Sequence, residues 1–378
     1  MPTPKTVELF APFFVDLTDP RVARARRHNL LDILILAVCA TLGNADGWAD
    51  VERFATAKLD FFKTFLDLPH GIPSHDTFGR VFARLDPAAL LDCLRRWLDA
   101  LGAAVAGEVV AIDGKTLKGS FDAAAGQNPL HLVSAWACDA RLTLGQVAVD
   151  QKSNEITAIP LLLELLDLKG CIVTLDAMGC QTEIAAAIRG RGADYVLAVK
   201  DNQPGLHEVI HEAFVAHAEA GFADPAVKRL LTVERGHGRQ ERRQYVAAAA
   251  PQALAARWRD VASIGLVTRT RTAGGVTSEE LSYYVSSLPP KVKTFARAVR
   301  GHWGIENRLH WTLDVTFAED QSRVRKDHGP FNLAMLRRLA VSILQRDRSV
   351  KDNLRGKRLR AGWDDEVLVK ILTSFSRD

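Results

Sequence analysis

The first 105 residues show the spacing of apolar positions that is typical of helices. The stretch HNLLDILILAVCATLG is almost continuously apolar and predicts a buried helix. The stretch GWADVERFATAKLDFFKTFL mixes apolar and charged positions as a surface helix does. In GIPSHDTFGRVFARL, Gly71 and Pro73 predict a turn, and Ser74 is placed to cap an amphipathic helix. We therefore expect an all-α N-terminal domain over residues 1–105.

The helix after Ser74 has two possible roles. A short helix that follows a Gly/Pro turn and two earlier helices is compatible with a helix-turn-helix-like element that contacts DNA. Arg80 and Arg84 lie near one face of this helix. Helical hairpins are also common in proteins that bind no nucleic acid, so the pattern leaves both interpretations open.

From Gly107 the pattern changes to the short apolar runs of strands. Strands are predicted at EVVAID, HLVSAWACD, LGQVAVD, CIVTLDAM and DYVLAVK, and helices at EITAIPLLLELLDL and QTEIAAAIRGRG. The second and third strands form a hairpin through ARLT. The order β-β-β-α-β-α-β indicates the α/β class, with a mixed sheet covered by helices. This is the element order of the RNase H-like fold.

A β-rich stretch then interrupts the α/β pattern. Residues 204–290 begin with a helix and continue as glycine-containing strands such as VASIGLVTRTRT, and a further helix follows at VKTFARAVRGHWGIENRLHW. We therefore predict an RNase H-like catalytic core formed by residues 106–203 and 291–345. Residues 204–290 are predicted to be a β-rich insertion, and residues 346–378 a basic C-terminal segment.

The composition excludes several classes of protein. The longest apolar run, from Leu30, is interrupted by Asp32 and is shorter than the roughly 20 residues that span a membrane. The N-terminal residues lack the charged-then-apolar order of a secretory leader. Five cysteines without C-x-x-C spacing indicate neither a disulfide framework nor a zinc knuckle. We expect a globular cytoplasmic protein with no membrane partner.

The positive charge of the chain is concentrated near its C-terminus. Residues 321–360 contain twelve Lys or Arg and three Asp, a net charge of +9, whereas the whole chain carries +4, which leaves −5 for the remainder. A basic block on an acidic body suggests a surface that binds a polyanion such as DNA. The alternative is an ordinary solvated helical face. Our DNA-binding candidates in this block are Arg355, Lys357, Arg358 and Arg360.

Two of the predicted strands end in an aspartate. Asp113 follows VVAI and Asp176 follows CIVTL. If these strands are neighbours in the sheet, both carboxylates project to one edge, where their repulsion favours binding of a divalent cation. Oxygen ligands of this kind suit Mg²⁺ or Mn²⁺. A single Asp before Gly more often caps a turn through its own backbone. Because an aspartate ends each of two strands here, we favour the metal site over the turn cap.

A third acid is available on the helix RGHWGIENRLHWTLD. His302, Glu306, His310 and Asp314 follow one another at i+4 steps and form a polar stripe on one face. Either Glu306 or Asp314 is placed to join the two aspartates, but they lie about 12 Å apart along the axis and do not bind one metal ion together. Solvent-facing polarity and a zinc site are the alternatives. Zinc is less favoured because the spacing is unusual and thiolates are missing.

Several long motifs resemble those of one family. They are, in order, AIDGKTLKGS, KSNEITAIP, TLDAMGCQ, DYVLAVKDNQP, YYVSSLPP, RGHWGIENRLHWTLDVTFAEDQSR and NLAMLRRLAVSIL. From about Arg26 to Leu372 the chain resembles the DDE transposases of bacterial insertion sequences, in the branch that includes the H-repeat-associated proteins. The stretch GIPSHDTFGRVFARL is similar to the N-terminal transposase-associated domain of that branch. The resemblance implies an RNase H-like core with a β-rich insertion, and Asp113, Asp176 and Glu306 as catalytic and metal-binding acids.

The chain departs from the wider class around the third acid. Transposases with such an insertion carry Tyr and Arg before the Glu and Lys after it, at positions that hold Val299, His302 and Leu313 here. Phosphate contacts by that signature are therefore replaced by other residues. Our candidates for these DNA contacts are Arg300, His302, Arg308 and His310.

The resemblance implies metal-dependent phosphoryl transfer on double-stranded DNA, at element ends and at a target. Two Mg²⁺ or Mn²⁺ ions held by the three acids would activate a water and later a DNA 3′-OH. Lys115, Lys118 and Lys200 are candidates for neutralising nearby phosphates. Because element ends come in pairs, we expect a homodimer on DNA.

Two other functions remain open at the level of the sequence. An RNase H-like nuclease without strand transfer uses the same metal chemistry. A catalytically silent DNA-binding protein derived from a transposase would retain the fold. The presence of all three acids argues against the silent protein.

Overall fold

The structure is a computed structural model that describes residues 11–100, 105–150, 153–236 and 238–374. None of the described helices is both long and apolar enough to cross a membrane. The helices pack in two layers, one on each face of a single large sheet.

Within the described residues, four helices precede the sheet. They are α1 (Leu30–Leu42), α2 (Trp48–Ala57), α3 (His75–Arg84) and α4 (Pro87–Ala100), with short helical turns at Ala11–Phe14, Ala23–Ala25 and Leu59–Phe62. The stretch GWADVERFATAKLDFFKTFL, expected as one surface helix, is divided at Lys58. Helix α1 is buried on nearly every side, as its continuous apolar run predicts. Ser74 occupies the N-cap position of α3, as expected, but its hydroxyl lies 3.2 Å from Thr77 Oγ1 and makes no capping hydrogen bond to a backbone amide.

In the part of the chain that the structure describes, nine strands and three helices form the centre of the molecule. The strands are β1 (Val109–Leu117), β2 (Leu130–Ala137), β3 (Leu142–Ala148), β4 (Ile172–Leu175), β5 (Asp194–Val199), β6 (Lys228–Gly236), β7 (Arg239–Ala249), β8 (Ser263–Ala273) and β9 (Val276–Ser286). The helices are α5 (Glu155–Glu164), α6 (Thr182–Gly190) and α7 (Pro204–Glu219), with short turns at Lys118–Ser120 and Gln252–Ala255. The order of the first five strands is β3-β2-β1-β4-β5, antiparallel from β3 to β1 and parallel from β1 to β5. The predicted mixed sheet is therefore confirmed.

The β-rich stretch after β5 extends the same sheet. Strand β9 pairs antiparallel with β5, and β8, β7 and β6 follow outward, so one nine-stranded sheet results. The register of β5 with β9 places Leu197 opposite Val285. The inserted strands are thus joined to the edge of the core sheet by main-chain hydrogen bonds.

Four further helices close the chain. They are α8, which runs without a break from Val292 to Phe317, α9 (Gly329–Arg346), α10 (Leu354–Trp363) and α11 (Asp365–Ser374), with a short turn at Glu319–Gln321. Helix α8 is α-helical over Val292–Gly304, π-helical over Ile305–His310 and α-helical again over Trp311–Phe317. This widened turn contains Glu306.

The sheet separates two apolar cores. Along β1 the side chains alternate, so Val109 and Ala111 join the core on the α8 side, whereas Val110 and Ile112 join the core on the α5 side. The core on the α8 side also contains the buried residues of the N-terminal helices and of α9 to α11. Odd-numbered β1 residues, including Asp113, therefore point toward α8.

Candidate active site

Asp113 and Asp176 lie at the same level of two neighbouring parallel strands. Strand β1 pairs with β4 from Val109–Ile172 to Ala111–Thr174, so two residues further on Asp113 is level with Asp176. The sequence placed Asp113 at a strand end, which is wrong for β1 itself, because this strand continues to Leu117 beside β2. It is β4 that ends, at Leu175, so both aspartates lie where the pairing of β1 with β4 stops.

Each aspartate uses one carboxylate oxygen to hold its own backbone. Asp113 Oδ1 accepts a hydrogen bond from the Gly114 amide at 2.9 Å. Asp176 Oδ1 accepts from the amides of Met178 at 3.0 Å and Gly179 at 3.2 Å, which is the turn-capping role that the sequence offered as an alternative. The backbone bonds orient both side chains and leave the second oxygen of each for another partner.

Helix α8 crosses this edge of the sheet with its two histidines facing inward. His302 Nδ1 lies 3.0 Å from Thr174 Oγ1 on β4. His310 Nδ1 lies 3.5 Å from Asp113 Oδ2. Both histidines were expected to contact DNA, but the structure turns them toward the strands that carry the aspartates. The π-helical turn between them contains Glu306, so the third acid lies in the stretch of helix that spans the site.

The electrostatics connect the three acids. Burial, together with the negative charges of Asp176, Glu155 and Glu306, raises the pKa of Asp113 to about 7, against the opposing hydrogen bond from the Gly114 amide. Partial burial and the charge of Asp176 raise the pKa of Glu306, which the charge of Lys200 opposes. The carboxylates therefore destabilise one another in the absence of a cation.

The two histidines are neutral bases at physiological pH. Burial lowers the pKa of His302 to about 4 and that of His310 to about 3, and the charge of Arg338 contributes to the lower value of His310. His310 Nε2 is buried and has no hydrogen-bond partner among the described residues. Neither imidazole adds a positive charge to the cluster of acids.

Among the described ion pairs, Asp314 has a partner and Glu306 has none. Lys115 Nζ lies 2.7 Å from Asp314 Oδ1 and 3.2 Å from Asp320 Oδ1. Lys115 is buried, so the expectation that it contacts phosphate is wrong, and it holds α8 to β1. Lys118 is exposed and pairs with Asp320 at 2.8 Å, so it remains accessible to a phosphate.

The donor set fits a hard divalent cation, although it is not assembled as a closed site. Within the described ranges, no group of three or more His, Cys, Asp or Glu side chains forms a ready-made metal site. Asp113, Asp176 and Glu306 nevertheless offer oxygen ligands and mutual repulsion, which a bound cation relieves. By their chemistry these residues suit Mg²⁺ or Mn²⁺ better than Zn²⁺.

The remaining basic candidates around the acids are exposed. Lys200 directly follows β5, and its charge acts on Glu306. Arg300 forms an ion pair with Glu234 of β6 at 3.0 Å. Arg308 is exposed on the π-helical turn. Val299 and Leu313, which stand where the wider class has Tyr and Lys, are buried in the apolar core.

The C-terminal basic block divides into an exposed and a buried set. Arg355 and Arg360 are exposed on α10. Lys357 is buried with Nζ 2.9 Å from Asp347 Oδ2, and Arg358 is fully buried with Nη2 3.0 Å from Asp46 Oδ1. The expectation that Lys357 and Arg358 bind DNA is therefore wrong, because a buried cation with its own partner does not reach a phosphate.

Two polar residues that sequence reasoning missed border the acids. His131 Nε2 lies 2.7 Å from Glu155 Oε1, and the Glu155 charge contributes to the raised pKa of Asp113. Glu155 belongs to the motif KSNEITAIP, which was noted only for its resemblance. A polar Asn-Glu pair at the start of an otherwise apolar helix was the available signal.

Comparison with known proteins identifies the family of the chain. Residues 106–343 match the family described as Transposase DDE domain, and residues 11–98 match the family described as DDE_Tnp_1-associated. The chain is 37% identical to the H repeat-associated putative transposase YhhI of Escherichia coli K12, over 91% of this chain and 92% of that protein. It is 36% identical to the putative transposase YncI of Escherichia coli O157:H7, over 93% and 90% of the two chains.

One solved structure and one short relative complete the comparison. A piggyBac transposase synaptic complex with hairpin DNA is 12% identical with a TM-score of 0.42, covering 99% of this chain and 81% of that chain, too distant to support an argument. A protein named inactive transposase YbfQ, from Escherichia coli K12, is 47% identical over 15% of this chain and 68% of its own length. On the two family matches and the full-length relatives, the chain belongs to the DDE transposase family.

Proposed function

We propose that the protein is a DNA transposase that cleaves element ends and joins them to a target by metal-dependent phosphoryl transfer. The observation that carries this proposal is the register of β1 and β4, which makes Asp113 level with Asp176. Glu306 is the third acid of the proposal, because its carboxyl is electrostatically coupled to Asp176, whereas Asp314 is paired with Lys115. Family membership supports the same reaction class.

Asp113, Asp176 and Glu306 would hold the divalent cations, two Mg²⁺ or Mn²⁺ by our proposal. Bound there, such ions would supply Lewis acidity for phosphoryl transfer. The backbone hydrogen bonds to Asp113 and Asp176 orient the two carboxylates before any ligand arrives. His310, neutral and directed at Asp113, limits the movement of that side chain from the α8 side.

Exposed basic side chains would bind the DNA backbone. Lys118, Lys200 and Arg308 are exposed and accessible to phosphates, and Arg300 would exchange its contact with Glu234 for a phosphate. Arg355 and Arg360 would add sequence-independent affinity at a distance from the acids. We further propose that a homodimer brings two element ends together in the cytoplasm.

The first test is removal of either aspartate. Asp113→Asn and Asp176→Asn keep the side-chain shape but lose the charge that a hard cation requires, so each should abolish Mg²⁺-dependent DNA cleavage. DNA affinity, measured by fluorescence anisotropy, should remain near the wild-type value. Asp167→Asn is the matched control, because this exposed carboxylate precedes the opposite end of β4. Cleavage by both site variants at wild-type rate would contradict the metal assignment.

Two rival functions are separated by the second half of the reaction. A nuclease would cleave element ends but not join a pre-cut 3′ end to target DNA. A silent DNA-binding protein would do neither while still binding DNA. The name of the short relative, inactive transposase, makes the silent alternative concrete for that protein. Strand-transfer assays with pre-cut ends distinguish the three functions.

A further inference from the structure

Thr116, His131 and Glu155 form a partly buried hydrogen-bonded chain beside the β1 backbone. Thr116 Oγ1 lies 2.7 Å from His131 Nδ1, and His131 Nε2 lies 2.7 Å from Glu155 Oε1. Thr116 and His131 are direct partners in the β1–β2 ladder. Asn154 caps helix α5, which fixes Glu155 in the first turn of that helix. The chain therefore ties β1, β2 and α5 together on the sheet face opposite α8.

Gly114 makes room for this pair next to Asp113. A Cβ atom on Gly114 would lie 2.0 Å from Glu155 Oε1 and 2.6 Å from His131 Nε2. The φ angle of Gly114 is not positive, so the need for glycine here comes from space and not from backbone conformation. The two side chains thus pack on the backbone of the residue whose amide holds Asp113 Oδ1 at 2.9 Å.

The contact of His131 and Glu155 with Gly114 lies in the part of β1 that is no longer paired with β4. The pairing of β1 with β4 stops at Ala111–Thr174, so from Ile112 onward only β2 supports the strand by main-chain hydrogen bonds. A strand supported on one side alone moves more easily than one paired on both sides. The His131–Glu155 pair restores support at the position that follows the catalytic aspartate.

The adjoining groove is unsuited to a phosphate. A groove of about 470 Å³ is lined by both members of the pair and by Met178, two residues beyond Asp176. Its lining also includes the carboxylates of Asp150 and Asp327 but only one guanidinium, that of Arg325. This excess of negative charge repels a DNA backbone, so the pair is not a substrate-binding element.

We propose that Glu155 and His131 are positioning residues that act through Gly114 to hold the Asp113 carboxylate in place for catalysis. The effect on DNA cleavage that we expect rests on the function proposed above. The effect on the position of Asp113 does not depend on that function. Partners that orient a ligand without touching the metal commonly change activity or metal affinity 10–100-fold, roughly the effect expected here.

The structural part is tested without metal or DNA. In the full-length protein, Glu155→Ala and His131→Ala should accelerate amide hydrogen exchange in residues 112–117 by about tenfold, with the thermal midpoint little changed. Asp150→Ala, which removes another carboxylate from the same groove, should leave this exchange at the wild-type rate. Wild-type exchange in both pair variants would overturn the proposal, whatever the protein does to DNA.

Kinetic measurements distinguish a positioning role of Glu155 from an effect of its negative charge and from a general loss of structure. Glu155→Ala should lower the rate of DNA cleavage and the calorimetric affinity for Mn²⁺ by about 10–100-fold, while KM for DNA is unchanged. Glu155→Gln keeps an acceptor for His131 Nε2 and should restore most of both. A Gln variant as impaired as the Ala variant, or a change in KM alone, would overturn the positioning role. If the wild-type protein cleaves no DNA, the proposed function fails, and the exchange experiment still decides the role of the pair.

A double-mutant cycle tests the path through Gly114. Gly114→Ala places a methyl group against the pair and should reduce Mn²⁺ affinity much as Glu155→Ala does. On the Glu155→Ala background the same glycine substitution should cost less, because the contact at 2.0 Å is gone and His131, at 2.6 Å, has lost the acceptor that holds it there. Fully additive losses would overturn the proposed path.

Discussion

At the scale of single residues, the cluster of acids lowers the stability of the metal-free protein. Burial and neighbouring carboxylates raise the pKa of Asp113 to about 7, so the folded state binds its proton more tightly than the unfolded chain. Ionisation of Asp113 therefore opposes folding as the pH rises from about 4 to about 7, with an upper bound of about 4 kcal/mol.

This predicts that Asp113→Asn stabilises the metal-free protein at pH 8. The Asn side chain cannot ionise, so the variant avoids the repulsion that the wild type meets above pH 7. The thermal midpoint should rise relative to wild type at pH 8 and differ little at pH 4, in buffers that contain a chelator. Asp167→Asn should change neither value. A midpoint difference that is largest at pH 4 would contradict the pKa shift of Asp113.

A second prediction distinguishes the two acids on α8. Glu306→Gln should eliminate Mg²⁺-dependent and Mn²⁺-dependent strand cleavage without loss of stability, because this carboxylate has no structural partner among the described ion pairs. Asp314→Asn should retain cleavage but lower the thermal midpoint, because the buried Lys115 keeps only Asp320. Cleavage assays on pre-cut and uncut ends, paired with thermal unfolding, give the comparison. The reverse order of effects would make Asp314 the third ligand.

Single residues also show what a sequence pattern reveals and what it hides. The sequence predicted Asp113 and Asp176 as neighbours on the condition that their strands are adjacent in the sheet, and the pairing of β1 with β4 meets that condition. The burial of Lys115 was not predictable, because it depends on Asp314 and Asp320, which lie about 200 residues away in the chain. A basic residue looks the same in sequence whether its partner is a phosphate or a buried carboxylate.

At the scale of elements, α10 presents two kinds of basic residue on one helix. Arg358 donates to the carbonyl oxygens of Thr41 and Ala45 and lies 3.9 Å from the centre of the Phe317 ring. It therefore joins α10 to the N-terminal helices and to α8. Arg355 and Arg360, on the exposed side, have no such contacts among the described hydrogen bonds and ion pairs.

We therefore predict opposite effects of substitutions on the two sides of α10. Arg355→Ala with Arg360→Ala should weaken binding to all DNA sequences and reduce the salt slope by up to about two, with the thermal midpoint unchanged. Arg358→Met should lower the free energy of unfolding by about 2–4 kcal/mol, because it leaves Asp46 and buried carbonyls unpaired. Anisotropy titrations at several salt concentrations and chemical denaturation measure the two effects. An unchanged salt slope in the double variant would mean that Arg355 and Arg360 belong to an ordinary solvated face and do not bind DNA.

The π-helical turn of α8 corresponds to a regular four-residue spacing of apolar residues in the sequence. Ile305, Leu309, Leu313 and Phe317 are buried at constant intervals of four, whereas a straight α-helix repeats every 3.6 residues and would rotate such a row away from the core. The wider turn at Ile305–His310 corrects this drift and keeps His302 and His310 over the sheet edge. The helix itself was predicted from periodicity, but its irregular turn was not, because helix patterns are interpreted with the α-helical period.

At the scale of the whole molecule, the chain is less divided than its sequence suggests. The β-rich stretch was predicted as an insertion, and the structure joins it to the core sheet through the β5–β9 ladder. Composition shifts mark such a stretch, but pairing between strands about 90 residues apart leaves no local pattern. The apolar core on the α8 side is also continuous from α1 through the sheet to α11. The domain boundaries remain predictions, while this shared core is a property of the fold.

The shared core leads to a prediction about the C-terminal segment. Val367, Leu368, Ile371 and Leu372 of α11 are buried in the same core as Ile33 of α1. Burying one such side chain contributes about 1.5–3 kcal/mol to stability. The contribution of all four is therefore comparable with the free energy of unfolding of a whole domain, about 5–15 kcal/mol. A chain that ends at Arg346 should therefore lose cooperative unfolding and become sensitive to limited proteolysis within the N-terminal helices. The full-length Arg355→Ala/Arg360→Ala variant is the control, since it removes charge but keeps the core. If the shortened chain retained a cooperative transition at the wild-type midpoint, residues 346–378 would be the separate basic segment that the sequence predicts, and the core would not depend on them.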